Sequence, residues 1–197
     1  MTPSSPEPVP SSSAMAARLE TIQRRIAAAC RASGRASAGV TLTAVSKTQP
    51  PEAIEAALAA GQRVFGENRV QEAQGRWNSR RDGIVGLELR LIGPLQSNKA
   101  ADAVALFDVI ETLDRPKLAD ALVAAGVRVG KPVRILIQVI TGAEPQKAGV
   151  LPGDAGELVD YARAAGLIVE GLMCIPPAEE APRPHFALLR KIARRHG

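Results

Sequence analysis

One lysine, Lys47, ends the apolar stretch TLTAVSK at residues 41–47 and is the side chain best placed for amine chemistry. Strand periodicity puts Thr43, Val45 and Lys47 on one face. Burial of an ammonium is costly, so a buried Lys47 would have a lowered pKa and more of the free amine that attacks aldehydes. The alternative is a lysine at the sheet edge that extends its ammonium into water. Taken alone, the stretch favours this alternative.

Polar or small residues also follow the other predicted strands. They are Glu67 with Asn68, Gly93 with Gln96, Thr112, and Thr141 with Lys147. The carboxyl ends of parallel strands lie at one edge of a sheet, and this edge holds the ligand both in (β/α) barrels and in open α/β sheets. We therefore expect these residues to gather at the edge where Lys47 lies.

Alternating apolar runs and amphipathic segments predict six strands and seven helices. The predicted strands span residues 41–47, 63–68, 88–93, 107–113, 133–140 and 167–175. The predicted helices span residues 14–33, 48–61, 70–77, 115–126, 154–166 and 182–196, with a further one opening in 94–99. Gly126 ends one of these helices and Asp154 caps another. This alternation predicts an α/β fold with a parallel sheet covered by helices.

Two architectures fit this pattern, an open doubly wound sheet and a closed (β/α) barrel, and composition does not separate them. A barrel needs eight strands and typically ~250 residues. Six strands are predicted within the 197 residues of this chain. If the fold is a barrel, the sequence therefore predicts one that stops after about six strands.

The composition predicts one globular domain, residues 14–197, behind a disordered Pro/Ser-rich tail at residues 1–13. Hydrophobic residues make up 46% and charged residues 23%, as in ordinary soluble proteins. No apolar run approaches the ~20 residues of a membrane helix, and the N-terminus lacks the features of a secretory signal. We expect a cytoplasmic protein that does not bind membranes, with Cys30 and Cys174 reduced.

The formal charge is +5, and the arginine pairs that contribute to it are scattered along the chain. One Trp and one Tyr leave little aromatic surface for stacking on bases. A nucleic-acid partner is therefore not expected. A basic protein also suits a small phosphorylated ligand.

Five local motifs occur in an order and spacing that together are specific to one family. They are AVSKT at 44–48, FGENRVQE at 65–72, LIGPLQSNK at 91–99, QVITGAEPQKAG at 138–149 and GLMCIPP at 171–177. The sequence resembles the YggS/PROSC-type pyridoxal phosphate homeostasis proteins, also called PLP-binding proteins. The resemblance extends from about residue 16 to the last residue.

The resemblance implies a (β/α)8 TIM-type barrel like the N-terminal domain of alanine racemase. It implies that Lys47 forms the Schiff base with pyridoxal 5′-phosphate (PLP). Four further residues match cofactor-lining positions: Asn68, Ile92, Gly93 and Met173. Lys147 matches a loop lysine that serves as a secondary PLP site, although it is equally compatible with an ordinary solvated lysine. No catalytic residue and no metal ligand are implied.

The resemblance also implies a function without an established reaction. Members bind PLP, buffer the reactive aldehyde and contribute to intracellular vitamin B6 and amino-acid balance. We accordingly expect a monomeric, non-catalytic PLP carrier that hands the cofactor to PLP-dependent apoenzymes. The reversible bond to a lysine accounts physically for storage and release.

Two alternatives remain from the residues. A racemase-like enzyme needs a second acid or base on the opposite face of the cofactor. The only tyrosine, Tyr161, falls in a predicted outer helix, so racemisation is not expected. The other alternative is a degenerate protein that keeps the fold but no longer binds PLP.

The sequence also departs from the family pattern. Leu89, Arg90 and Leu91 replace an aromatic residue, a histidine and a second aromatic residue before the Ile-Gly pair, while Gln49 and Ile140 replace a lysine and an asparagine. Family members continue with two further strands, which carry a serine for the PLP phosphate and an arginine facing the pyridine nitrogen. This chain ends at Gly197 without them. We therefore expect a barrel that lacks its C-terminal end.

Overall fold

The computed structural model describes residues 10–142 and 148–196. The strands are β1 Ala44–Val45, β2 Val64–Glu67, β3 Glu88–Leu91, β4 Val109–Leu113, β5 Arg134–Gln138 and β6 Ile168–Met173. The helices are α1 Ser12–Ala32, α2 Pro51–Ala59, α3 Val70–Trp77, α4 Ala100–Leu106, α5 Pro116–Val129, α6 Ala155–Ala164 and α7 Pro182–His196. The predicted alternation of strands and helices is confirmed. Helix α1 begins two residues before the predicted start at residue 14.

The six strands form one parallel sheet in the order β1-β2-β3-β4-β5-β6. Each strand therefore lies beside the strand that precedes it in the chain, whereas a doubly wound sheet reverses its order at a switch point. Stepwise order in one direction is the order of a (β/α) barrel. Within residues 10–142 and 148–196, no strand pairing joins β6 to β1.

The hydrophobic core lies between the sheet and its helices. Strand periodicity sends alternate residues toward the helices, and this side of the sheet is called the helix face below. Its largest fully buried side chains include Phe65, Leu89, Leu91, Ile110 and Ile135. The rings of Phe65 and Trp77 lie 4.8 Å apart and tie β2 to α3.

The opposite side of the sheet is called the far face below. Thr43, Gly66 and Ile92 share it, because a Cβ built on Gly66 would lie 3.2 Å from Thr43 Cγ2 and 3.0 Å from Ile92 Cδ1. Val45 and Ile168 on this face are 47% and 45% exposed. The far face is thus accessible at both edge strands.

The predicted end of one helix is wrong, and the predicted cap of another is confirmed in position only. Helix α5 continues past Gly126 to Val129 and ends at Gly130, whose φ of 70° is left-handed. Gly126 instead allows close packing, since a Cβ there would lie 2.8 Å from Val133 Cγ2. Asp154 precedes α6, but its side chain makes no capping hydrogen bond. Its φ of −94° and ψ of −8° are helical rather than extended, so the carboxylate does not face the first amides.

Cys30 and Cys174 are both free, as predicted. Burial raises the pKa of Cys174, and a weaker interaction with Thr141 opposes this effect.

None of the helices in the described part of the chain is long and apolar enough to cross a membrane.

Candidate functional site

The C-terminal ends of β1, β2 and β3 bring four of the predicted site residues to one edge of the sheet. Lys47 follows β1, Asn68 directly follows β2, and Ile92 and Gly93 directly follow β3. Strand register pairs Val45 with Gly66 and Glu67 with Leu91, so the three strands end at one level. The predicted gathering of residues at this edge holds for Lys47, Asn68 and Gly93, and Ile92, which the resemblance added, lies there too.

Lys47 lies in a tight turn formed by Ser46–Gln49, closed by a hydrogen bond of 3.2 Å from Gln49 N to Ser46 O. Its side chain is exposed and makes no hydrogen bond or ion pair within the described residues. The predicted burial of Lys47 is wrong. β1 has only two residues and lies at the sheet edge, and no residue of the described segments covers the lysine. The alternative, a lysine at the sheet edge with its ammonium in water, therefore describes its surroundings.

Thr48 has a φ of 60°, the one positive φ of a non-glycine residue in the described segments. It occupies the third position of the turn, where type II turns require a positive φ and usually a glycine. A β-branched residue in this region costs about 1–3 kcal/mol and persists only where surrounding contacts hold it. Such strain often marks functional sites. Sequence reasoning missed Thr48 because its residue type argues against this conformation.

Glu67, on the helix face, is fully buried. Its Oε1 accepts hydrogen bonds from Ser46 Oγ at 2.7 Å and Trp77 Nε1 at 2.9 Å. Arg76 Nη1 donates to both carboxylate oxygens, at 2.9 and 2.8 Å. These donors offset the cost of burying the carboxylate. The sequence placed Glu67 at a strand end but contained no signal for these partners.

Gly93 allows the ends of β2 and β3 to approach closely. A Cβ at this position would lie 2.7 Å from Asn68 Cα, inside the contact distance of any real side chain. Ile92 N donates to Glu67 O at 2.9 Å, and Thr112 Oγ1 donates to Gly93 O at 3.0 Å. Gly93 therefore has a steric reason to be glycine and connects the edge to β4.

Met173 and Lys147 are not brought to the β1–β3 edge by the described contacts. Met173 is half-buried on β6, the edge strand at the other side of the sheet, and its carbonyl accepts from Val139 N at 2.8 Å. Lys147 lies outside the described residues. Gln138, predicted as part of a strand, donates from Nε2 to Ala148 O at 2.8 Å.

Tyr161 lies on α6 and is 41% exposed. Its hydroxyl donates to Asp120 Oδ1 of α5 at 2.6 Å, and this hydrogen bond raises the pKa of Tyr161. The predicted outer-helix position is confirmed. Tyr161 is therefore engaged on the helical layer, away from the strand ends.

A chain of ion pairs crosses the far face from β3 to β6. It comprises Glu88, Arg90, Glu111, Arg134 and Glu170. Arg90 donates to Glu111 Oε1 at 2.9 Å and Arg134 Nε donates to Glu170 Oε1 at 2.5 Å. Burial lowers the pKa of Arg90, but hydrogen bonds to Glu111 and Glu88 outweigh it and raise the pKa overall.

The family model described as "Alanine racemase, N-terminal domain" matches residues 14–194. The pyridoxal phosphate homeostasis protein of Escherichia coli is 38% identical over 181 residues, which cover 91% of this chain and 77% of that protein. The homologue of the same name from Aquifex aeolicus is 37% identical over 179 residues, covering 89% and 78%.

Solved structures agree with these matches. PipY of Synechococcus elongatus PCC7942 is 34% identical and superposes with a TM-score of 0.78 without PLP and 0.75 with PLP bound. Each superposition covers 92% of this chain and 81% of PipY. Alanine racemase of Streptomyces coelicolor, 22% identical with a TM-score of 0.70 over 94% of this chain and 48% of that one, shows the same fold.

Proposed function

Since this chain belongs to the alanine racemase N-terminal domain family, and within it to the pyridoxal phosphate homeostasis proteins, we propose that it binds PLP through Lys47. PLP binding is supported by PipY, a similar protein whose structure contains PLP. The observation that carries the proposal is Lys47 itself: an exposed primary amine without a partner among the described residues, held in a turn next to the strained Thr48.

The residues around Lys47 fit a flat ring that carries an aldehyde. Gly66 leaves a space between Thr43 and Ile92 that a Cβ would fill, directly beside β1. Asn68 supplies an amide and Ile92 an apolar side chain at the same edge. We propose that Asn68, Ile92 and Gly93 line the ring, and that Met173 contributes from β6.

PLP, when bound, supplies an aldehyde that condenses reversibly with an amine and releases water. Lys47 provides that amine, and its exposure leaves it open to exchange with other amines. Tyr161 is bonded to Asp120 on the helical layer, so it offers no second acid or base at the site. These features favour a carrier that stores PLP and hands it to apoenzymes, with no catalytic turnover of its own.

The test is to load the purified protein with PLP, desalt it, reduce it with borohydride and map the labelled peptide. We expect a retained visible absorbance band and the label on Lys47. Lys47→Ala should abolish both, whereas Lys147→Ala and the exposed control Lys117→Ala should retain most of each. A band that survives Lys47→Ala, or that disappears in Lys147→Ala, would refute the assignment.

A further inference from the structure

The turn that contains Lys47 has a direct connection to the helical layer. Ser46 is buried, its amide donates to Gly66 O at 3.0 Å, and its hydroxyl donates to Glu67 Oε1 at 2.7 Å. Glu67 is in turn held by Arg76 and Trp77 of α3. A continuous series of contacts therefore runs from α3 through Glu67 to Ser46, the residue beside Lys47.

We propose that Glu67 is a positioning residue for Lys47 and acts through Ser46. This inference rests on the proposed function of Lys47. Because the Lys47 side chain has no partner of its own within the described residues, its direction is set by the backbone of the turn. The turn is therefore the element that must be held.

The magnitudes agree with this role. The left-handed conformation of Thr48 is strained and opposes the turn. A hydrogen bond to a charged acceptor is about twice as strong as one between neutral groups. The bond from Ser46 to the Glu67 carboxylate is thus large enough to offset the strain, whereas the long 3.4 Å contact of Ser46 Oγ to Gly66 O is weak.

Arg76 fixes the orientation of the Glu67 carboxylate. Its Nη1 lies 2.8 Å from Glu67 Oε2, and the arginine side chain is only 17% exposed. An anchored, paired carboxylate stays in one orientation, so Ser46 has a fixed acceptor. Glu67 also directly precedes Asn68, so the same anchor fixes a second residue of the proposed site.

The first measurement is the rate at which PLP labels Lys47, determined by borohydride trapping and peptide mapping. Ser46→Ala should slow labelling about tenfold, equivalent to about 1.4 kcal/mol. Ser46→Thr keeps the hydroxyl and should restore the rate to within about threefold. Glu67→Met removes the acceptor and should slow labelling as well, and adding Ser46→Ala to it should cost little more, because both changes break the same contact.

Gln62→Leu is the matched control. Gln62 is buried and its Nε2 donates to Leu42 O at 2.8 Å and Val64 O at 2.6 Å, so it joins β1 and β2 at their other ends. This variant should lower the stability of the protein yet leave the labelling rate unchanged. Normal labelling in Ser46→Ala, or equal slowing in Gln62→Leu, would overturn the positioning role.

A second measurement does not depend on PLP. The Gln49 amide closes the turn on Ser46 O, so its hydrogen exchange reports whether the turn is formed. Exchange should be about tenfold faster in Ser46→Ala and unchanged in Gln62→Leu. If wild-type Lys47 takes no PLP, the proposed function fails, while this exchange comparison still decides the positioning role: unchanged exchange in Ser46→Ala overturns it.

Discussion

The helix face and the far face of the same sheet differ in what their side chains contact. On β3, Leu89 and Leu91 point to the helices and are fully buried, whereas Arg90 between them points to the far face and pairs with Glu88 and Glu111. The helix face therefore derives its stability from apolar burial, which requires no directional contacts. The far face uses charged and polar groups that can also meet a ligand.

Glu67 is the exception that connects the two faces. It is a carboxylate on the helix face, yet its bond to Ser46 fixes the turn that contains Lys47. A buried side chain on the helix face can therefore fix the conformation of a turn that presents its lysine to solvent.

The largest loss of stability is expected from Leu91→Ala on the helix face. Leu91 is fully buried, so its truncation should lower the free energy of unfolding by about 3 kcal/mol through lost apolar contact and a cavity. Urea denaturation followed by circular dichroism would measure this. Leu91→Met, which nearly conserves volume, should cost less than about 1.5 kcal/mol. A loss below 1 kcal/mol for Leu91→Ala would show that the helix face is loosely packed.

Gly93→Ala tests the close approach of strands β2 and β3. The added methyl group would meet the backbone of Asn68, which cannot turn aside as a side chain can. We expect a loss of about 2 kcal/mol in the free energy of unfolding and weaker PLP retention after desalting. Gly83→Ala, where a Cβ meets nothing within 4 Å, is the control and should have little effect. Normal stability of Gly93→Ala would contradict the observed strand spacing.

Arg90→Met removes the central cation of the far-face ion pairs. Glu88 and Glu111 then lose their shared partner, and we expect the free energy of unfolding to fall by about 1–2 kcal/mol. The pKa of Arg90 is raised in the folded protein. The contribution of Arg90 to the free energy of unfolding is therefore present at all pH values below the ordinary arginine pKa, and it should be constant near neutrality. Arg24→Met, which removes an exposed pair with Glu20, should change stability by less than about 0.5 kcal/mol. Equal losses in both variants would contradict a special role for the far face.

The smallest effect is expected from Thr48→Gly. Glycine adopts the positive φ without strain, but it also loses more conformational entropy on folding. The relief of strain and the entropy cost partly cancel, so we expect the free energy of unfolding to rise by about 0.5 kcal/mol. Thermal denaturation would measure this change. A clear loss of stability would mean that the Thr48 side chain contributes contacts that exceed its backbone strain.

The sequence alone was sufficient for the local elements. The alternation of strands with helices and the motif order depend on residue spacing along the chain. The six strands and seven α-helices of the described residues and the family were therefore predicted correctly. The sequence also placed Lys47, Asn68 and Gly93 at strand ends, and the resemblance added Ile92. Their roles toward PLP and those of Met173 and Lys147 stay predictions, as does the division into a tail and a domain at residue 14.

Only the tertiary structure decided the features that depend on distant contacts. Strand order selected the barrel order over the doubly wound sheet, a choice that composition left open. The exposure of Lys47 follows from β1 being an edge strand, and edge position is not encoded in the apolar pattern of one segment. The partners of Glu67 come from residues 9 to 21 positions away. Their meeting depends on how β1, β2 and α3 pack, because only packing brings such side chains within hydrogen-bonding distance.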